Sequence, residues 1–199
     1  MQVRVLALSV LTLLPGALLA QDTTPPDSQP FHRGQWAMQF GGGANLFNLG
    51  ALHFTSPTSA LLLDVEFLAI IVNGEHRDFS GTTPSEDKLT QLNLRLGRRS
   101  YRTPRGRIVS FHSLAVEGGY YGRLLDYQFG RQRVRQWNAG LYWEVGAAYR
   151  ATPSLSLGGN ASVSGGYMYQ RREDTGSVTK GDGFYFQGVH AVFAVGIYF

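Results

Sequence analysis

The chain has no cysteine, only two lysines (Lys88 and Lys180) and little charge of any kind. Without cysteine there is neither a disulfide framework nor a Cys-based zinc site, and the chain is compatible with an oxidising compartment. Charged residues make up 16% of the 199 and hydrophobic residues 43%; soluble globular domains carry about 25% charge. Part of the surface must therefore face something other than water. The net charge of +4 is carried almost wholly by arginines that form no single block, which argues against nucleic acid as a partner. Beyond residue 20 no apolar run approaches the ~20 residues that a membrane-spanning helix needs. What is abundant is glycine, at 25 residues, and aromatics, at 13%, a mixture that favours closely packed β-strands over helices.

Residues 1–20 read as a signal peptide: Arg4 is a minimal basic region, Val5 to Leu14 an apolar stretch, and Pro15-Gly16 ends it before a cut after Ala20, with Ala17 as a second site. Export through the Sec pathway is the expectation. Residues 21–34 (QDTTPPDSQPFHRG) are polar and proline-rich and read as a flexible lead-in. Residues 35–199 form the remaining domain. If it lies in a membrane it must be a closed barrel, because only helices and closed barrels satisfy every backbone polar group in lipid.

From residue 35 the hydrophobic period is two, and strands are expected at about 35–45, 49–56, 59–72, 88–101, 108–126, 134–151, 154–171 and 183–199. Tight turns carrying proline fall at 57–58, 102–107 and 152–153, and longer polar loops at 73–87, 126–133 and 172–182; only the first connection, near Phe47-Asn48, is short where a long loop is expected. That alternation is what the two rims of an outer-membrane barrel show. In the sixth strand Trp137, Ala139, Leu141, Trp143, Val145, Ala147 and Tyr149 share an apolar face, and small or polar residues such as Asn138, Gly140, Glu144 and Arg150 share the other. The seventh strand repeats the pattern. A soluble barrel of lipocalin type, the competing fold, would carry many Lys and Glu on its outer face. Here the polar face is small enough for a narrow eight-stranded lumen, so the apolar face is expected outside. The aromatics sort to strand ends: Trp36, Tyr149 and Phe199 at the periplasmic rim, and Tyr120, Trp137, Tyr167, Tyr169 and Tyr185 at the outer one. The expected fold is all-β, a closed eight-stranded antiparallel transmembrane β-barrel.

The last strand places Tyr185, Val189, Ala191, Phe193, Val195, Ile197 and Phe199 on one face. The run Phe193, Val195, Ile197, Phe199 resembles the C-terminal assembly signature of outer-membrane β-barrel proteins. With the signal peptide and eight strands, the chain resembles the small-barrel family of the OmpA transmembrane domain, OmpX and the opacity proteins. That resemblance implies insertion by the barrel assembly machinery into the outer membrane of a diderm bacterium, and no particular activity.

The inward face holds Asp64, Glu66, Arg95, Glu117, Arg123, Glu144 and Arg150. An ion-pair network plugging the lumen is the first reading, since buried charges persist only when paired; a narrow channel in which the pairs exchange partners is the second. The third is a lipid A-modifying barrel enzyme of deacylase type. His53 and Thr55 share a face, but that pattern wants Ser at Thr55, and the adjacent His112 and Ser113 point to opposite faces. No enzyme activity is expected. His32, His76 and His190 show no ligand spacing, so no metal site and no cofactor are expected. Arg131, Arg133, Arg135, Arg171 and Arg172 crowd the outer rim, where lipopolysaccharide phosphates are candidate partners. A monomer in outer-membrane lipid is the expected state.

Overall fold

The computed structural model describes residues 31–42, 47–78, 81–102, 107–127 and 130–199, with the backbone alone for 73–85 and 127. The expected signal peptide and most of the lead-in lie outside the described residues. Eight strands follow one another: β1 (Trp36–Gly42), β2 (Phe47–Ser56), β3 (Ser59–Asp78), β4 (Gly81–Tyr101), β5 (Ile108–Tyr127), β6 (Gly130–Thr152), β7 (Leu155–Asp174) and β8 (Ser177–Tyr198). Each is antiparallel to its sequence neighbours, and β1 closes the ring on β8, with Ala37 opposite Tyr198 and Gly42 opposite Phe193. The strand count and the closed antiparallel ring agree with the sequence reading. The end holding the Pro57-Thr58 and Pro153-Ser154 connections is called here the turn end, and the opposite one the hairpin end.

Three expected loops are strand instead. Pairing runs through Glu75↔Pro84, Asp126↔Arg131 and Glu173↔Val178, so β3–β4, β5–β6 and β7–β8 project as long hairpins. The physical reason is that alternation marks a strand only where its two faces meet different surroundings. Where both faces are polar, the ladder continues without a period-two signal. At the β7–β8 tip Gly176 takes a φ of 84°, a conformation that strains any L side chain. β1 is described through Gly42 and β2 from Phe47, and the expected continuation of β1 to 45 lies outside the described residues.

In β8 the register steps from Ser162↔His190 to Ser164↔Gln187, so two β8 residues, Gly188 and Val189, oppose one on β7. This bulge reverses the facing of everything towards the hairpin end. Phe184 and Phe186 point outward, and Tyr185, expected among the outer-rim aromatics, points into the lumen, where its hydroxyl donates to Glu117 Oε1 at 3.3 Å. Gly140 makes room for it, since a Cβ there would lie 2.8 Å from the Tyr185 hydroxyl.

The turn end of the lumen is a dry aromatic core. Phe31 is buried against Phe54 (ring centroids 4.3 Å), Tyr101 (4.6 Å) and Tyr198 (5.3 Å), with Leu52, Leu62 and Val109 around them. The residues just before β1 are therefore docked: Gly34 N–H donates to the Phe54 carbonyl at 2.7 Å, and Phe54 N–H to the Gln35 carbonyl at 2.9 Å. The expectation of a featureless lead-in through residue 34 is corrected here. One apolar ring in a polar segment is invisible to composition, yet burying it is worth up to about 3 kcal/mol.

Candidate functional site: two arginine layers in the lumen

Above the aromatic core, alternation on four strands brings charged side chains inward at two levels. The sheet register sets the first: Asp64 is opposite Arg95, and Arg95 is opposite Glu117 on its other side. Arg95 is the hub. Its Nε donates to Glu117 Oε2 at 2.6 Å, one terminal nitrogen to Asp64 Oδ2 at 3.1 Å, and the other to Glu66 Oε2 at 2.9 Å. Its guanidinium stands 4.2 Å from the Tyr142 ring centroid. Two amides complete the carboxylates: Asn48 donates to Asp64 Oδ2 and Asn93 to Glu66 Oε1, each at 2.8 Å.

One turn-end step below, Arg99 forms a second layer. It pairs with Glu144 and donates to Ser113 Oγ at 2.9 Å and Gln39 Oε1 at 2.5 Å. Ser113 in turn donates to Glu144 Oε1 at 2.6 Å, and Tyr142 to Glu144 Oε2 at 3.0 Å. The Arg99 guanidinium lies 4.2 Å from the Phe111 ring centroid, joining the charged layer to the aromatic core. Tyr142 spans both levels, stacked under Arg95 and bonded to the partner of Arg99. All of these charged groups are buried, and a buried charge with incomplete partners costs several kcal/mol.

Of the expected lumen residues, Asp64, Glu66, Arg95, Glu117 and Glu144 are brought together. Arg123 sits higher, half exposed, and is bidentate on Asp87 at 2.7 and 3.1 Å; that hydrogen bonding pushes its guanidinium further above the usual range. Arg150 lies at the turn end, 5.5 Å from the Phe31 ring centroid and donating to the Pro153 carbonyl at 3.2 Å. Its guanidinium thus borders the aromatic core. The reading from sequence missed Arg99, although the signal was present: Arg99 is four residues from Arg95 and must share its face in a strand. It also missed Asn48, Asn93 and Tyr142.

On the outer surface Trp36, Tyr149 and Phe199 project at the turn end, and Trp137, Tyr167 and Tyr169 towards the hairpin end. Tyr120 packs tilted against Trp137 (ring centroids 5.6 Å), and Trp137 against Tyr169 (6.0 Å), across three strands. Between the two groups the outward residues are apolar: Leu94, Leu96, Leu114, Val116, Leu141 and Trp143 are all exposed. Phe193, Val195 and Ile197 lie outward on β8 as expected. Of the histidine pairs weighed for catalysis, His53 and Thr55 share the outer face, where His53 packs against Trp36 (ring centroids 4.6 Å), whereas Ser113 is inside and its neighbour His112 is exposed.

The arrangement defines an all-β, eight-stranded antiparallel barrel that is apolar outside and charged within. Among solved structures it is similar to a major outer membrane protein from Thermus thermophilus, with a TM-score of 0.56 and 14% identity over 83% of this chain and 98% of that one. A more distant similarity, TM-score 0.38 and 11% identity over 86% of this chain and 98% of the other, is to CarO of Acinetobacter baumannii. No family model matches the sequence, and no curated protein matches it either. At these identities the likeness concerns the fold.

Proposed function

We propose that the chain is an exported outer-membrane β-barrel of a diderm bacterium, a small barrel of the OmpA–OmpX kind. In this reading it has a structural or surface-interaction role, no enzymatic activity, and a lumen closed by its own side chains. The observation that carries this is the inversion of the faces. Leu141 and Trp143 stand outside while Arg95, Arg99 and their carboxylates are buried inside, an arrangement unfavourable in water and favourable in lipid. The aromatic groups at the two ends fit the interfaces of a bilayer, with the turn end periplasmic. A plug is favoured over a conduit because the Arg95 and Arg99 layers lie directly above the Phe31 cork, with cavities of only about 20 and 10 Å³ beside them. Arg131, Arg133, Arg135, Arg171 and Arg172 would meet lipopolysaccharide phosphates at the outer rim.

The test is electrophoretic migration of the detergent-extracted membrane fraction with and without boiling. A closed membrane barrel runs as a compact band when unheated and shifts on boiling. Recovery in the aqueous fraction, or no shift, would overturn the reading.

A further inference from the structure

Strand register sorts the outward side chains of the hairpin end into level rows. Trp137 is opposite Tyr120 on β5 and Tyr169 on β7, so these three rings share one level. One outward step towards the tips, about 5 Å higher, Arg135 is opposite Gly122 and Arg171, and Arg171 is opposite Lys180 on β8. Three cations thus stand side by side across β6, β7 and β8, about 5 Å from strand to strand. Like charges directly opposite one another destabilise a sheet, so this row costs stability unless an anion shares it.

The carboxylates nearby do not fill that role. Glu173, one level higher, lies 2.8 Å from Arg171 Nε. Asp182, one level lower, accepts the Tyr167 hydroxyl at 2.5 Å. Asp126 pairs with Arg131 at 3.5 Å, and Arg172 alternates to the inner side, where it pairs with Asp174 at 2.9 Å. Among the described residues no carboxylate pairs with Arg135 or Lys180. A fourth donor extends the row onto β5. A Cβ at Gly122 would lie 2.9 Å from the Tyr120 hydroxyl, so the missing side chain lets the phenol reach up to the level of Arg135. Four adjacent strands therefore present N–H and O–H donors together, immediately above the aromatic level at which the head groups of a bilayer begin.

We propose that the row of Tyr120, Arg135, Arg171 and Lys180 binds the phosphate monoester of an outer-leaflet lipid head. A monoester carries about two negative charges and three acceptor oxygens, and guanidinium groups take such oxygens in pairs. It can lie between Arg135 and Arg171 and still face Tyr120 or Lys180, whereas a diester has less charge and fewer free oxygens. This narrows the lipopolysaccharide contact of the outer rim to one row and rests on the membrane-barrel reading above.

Trp137 borders the row, and Trp36→Phe with Trp143→Phe leaves it the sole tryptophan. The full barrel is inserted in phosphatidylcholine vesicles, where lipids brominated near the head end of their chains quench tryptophan fluorescence on contact. Brominated phosphatidic acid, a monoester, should be preferred at Trp137 over brominated phosphatidylcholine by about tenfold, and over brominated phosphatidylglycerol, a diester, by about threefold. Arg135→Gln combined with Arg171→Gln should reduce the preference over phosphatidylcholine to about twofold or less, whereas Arg123→Gln, which removes an inward charge, should leave it intact. Equal quenching by phosphatidic acid and phosphatidylcholine overturns the proposal. So does equal quenching by phosphatidylglycerol, a double variant that keeps the preference, or an Arg123→Gln variant that loses as much. Inorganic phosphate that releases phosphatidic acid at a matching concentration would put a free anion in the row and overturn the lipid assignment. If no brominated lipid quenches Trp137, the membrane reading itself falls. Should the double variant give no heat-shifting band, Lys180→Gln at the exposed end of the row carries the same readout, with an expected loss of about threefold.

Discussion

At the turn end Phe31, Phe54, Tyr101 and Tyr198 fill the lumen with stacked rings, and the wall is complete. At the hairpin end the inward face carries Ser162, Ser164, Gln187 and His190 around a small cavity, and Arg123 and Asp87 pair there half exposed. Both halves belong to the same strands, with the same alternation. What differs is how inward polarity is handled. Near the turn end it is largely excluded or paired inside the protein, with Tyr101 Oη and Asp64 Oδ1 as exceptions, and near the hairpin end it sits on half-exposed pairs such as Arg123 with Asp87. The Arg95 and Arg99 layers are the partition between the two regimes.

Removing the partition should have the largest effect. Arg95→Ala strands three buried carboxyl groups, and a loss of about 3–5 kcal/mol is expected in urea unfolding followed by the gel shift. Single-channel conductance should not rise, because the Arg99 layer and the cork remain below; a clear rise would favour the conduit reading. Phe31→Ala comes next. Truncating a buried Phe commonly costs about 3–5 kcal/mol, but here undocking of the terminal segment caps the loss near about 3 kcal/mol. Protease cutting near residue 34 should accelerate in the same variant, and an unchanged rate would show that the cork does not hold the segment. Arg99→Lys keeps the charge but cannot donate to Glu144, Ser113 and Gln39 with the same planar fork, so about 2 kcal/mol should be lost. Arg123→Ala, on a half-exposed pair, should cost under about 1 kcal/mol and less still at high salt. If Arg123→Ala rivalled Arg95→Ala, the contrast between a sealed and an open half would fail.

The ring of eight strands and the outward placement of Trp137, Leu141, Trp143 and Tyr149 could be read from the sequence because alternation is strong wherever one face is apolar and the other polar. It failed in three places for three reasons. The projecting hairpins look like loops because both their faces are polar. The β8 bulge at Gly188-Val189 leaves both halves of the strand alternating, so only the neighbour's register reveals that Tyr185 turns inward. The docking of Phe31 depends on a socket built from β2, β4 and β8, which no local window contains. The charged layers were half legible: Arg95 and its three carboxyl groups could be placed by parity, whereas Arg99, on the same face, was passed over. Asn48 and Asn93 gave no sign, since an amide on a polar face is ordinary until its partner across the strands is known.

The Phe31 socket also says something about order of events. Its rings come from the second, fourth and eighth strands, and the adjacent Trp36 exchanges two backbone hydrogen bonds of 3.0 Å with Phe199. None of this can form on a growing sheet that still lacks its final strand. The segment ahead of β1 is therefore a late-arriving clasp: it finds its place only after the seam between first and last strands has been stitched. Protection of that segment should accordingly mark the end of assembly, trailing the sheet's own hydrogen bonds rather than leading them.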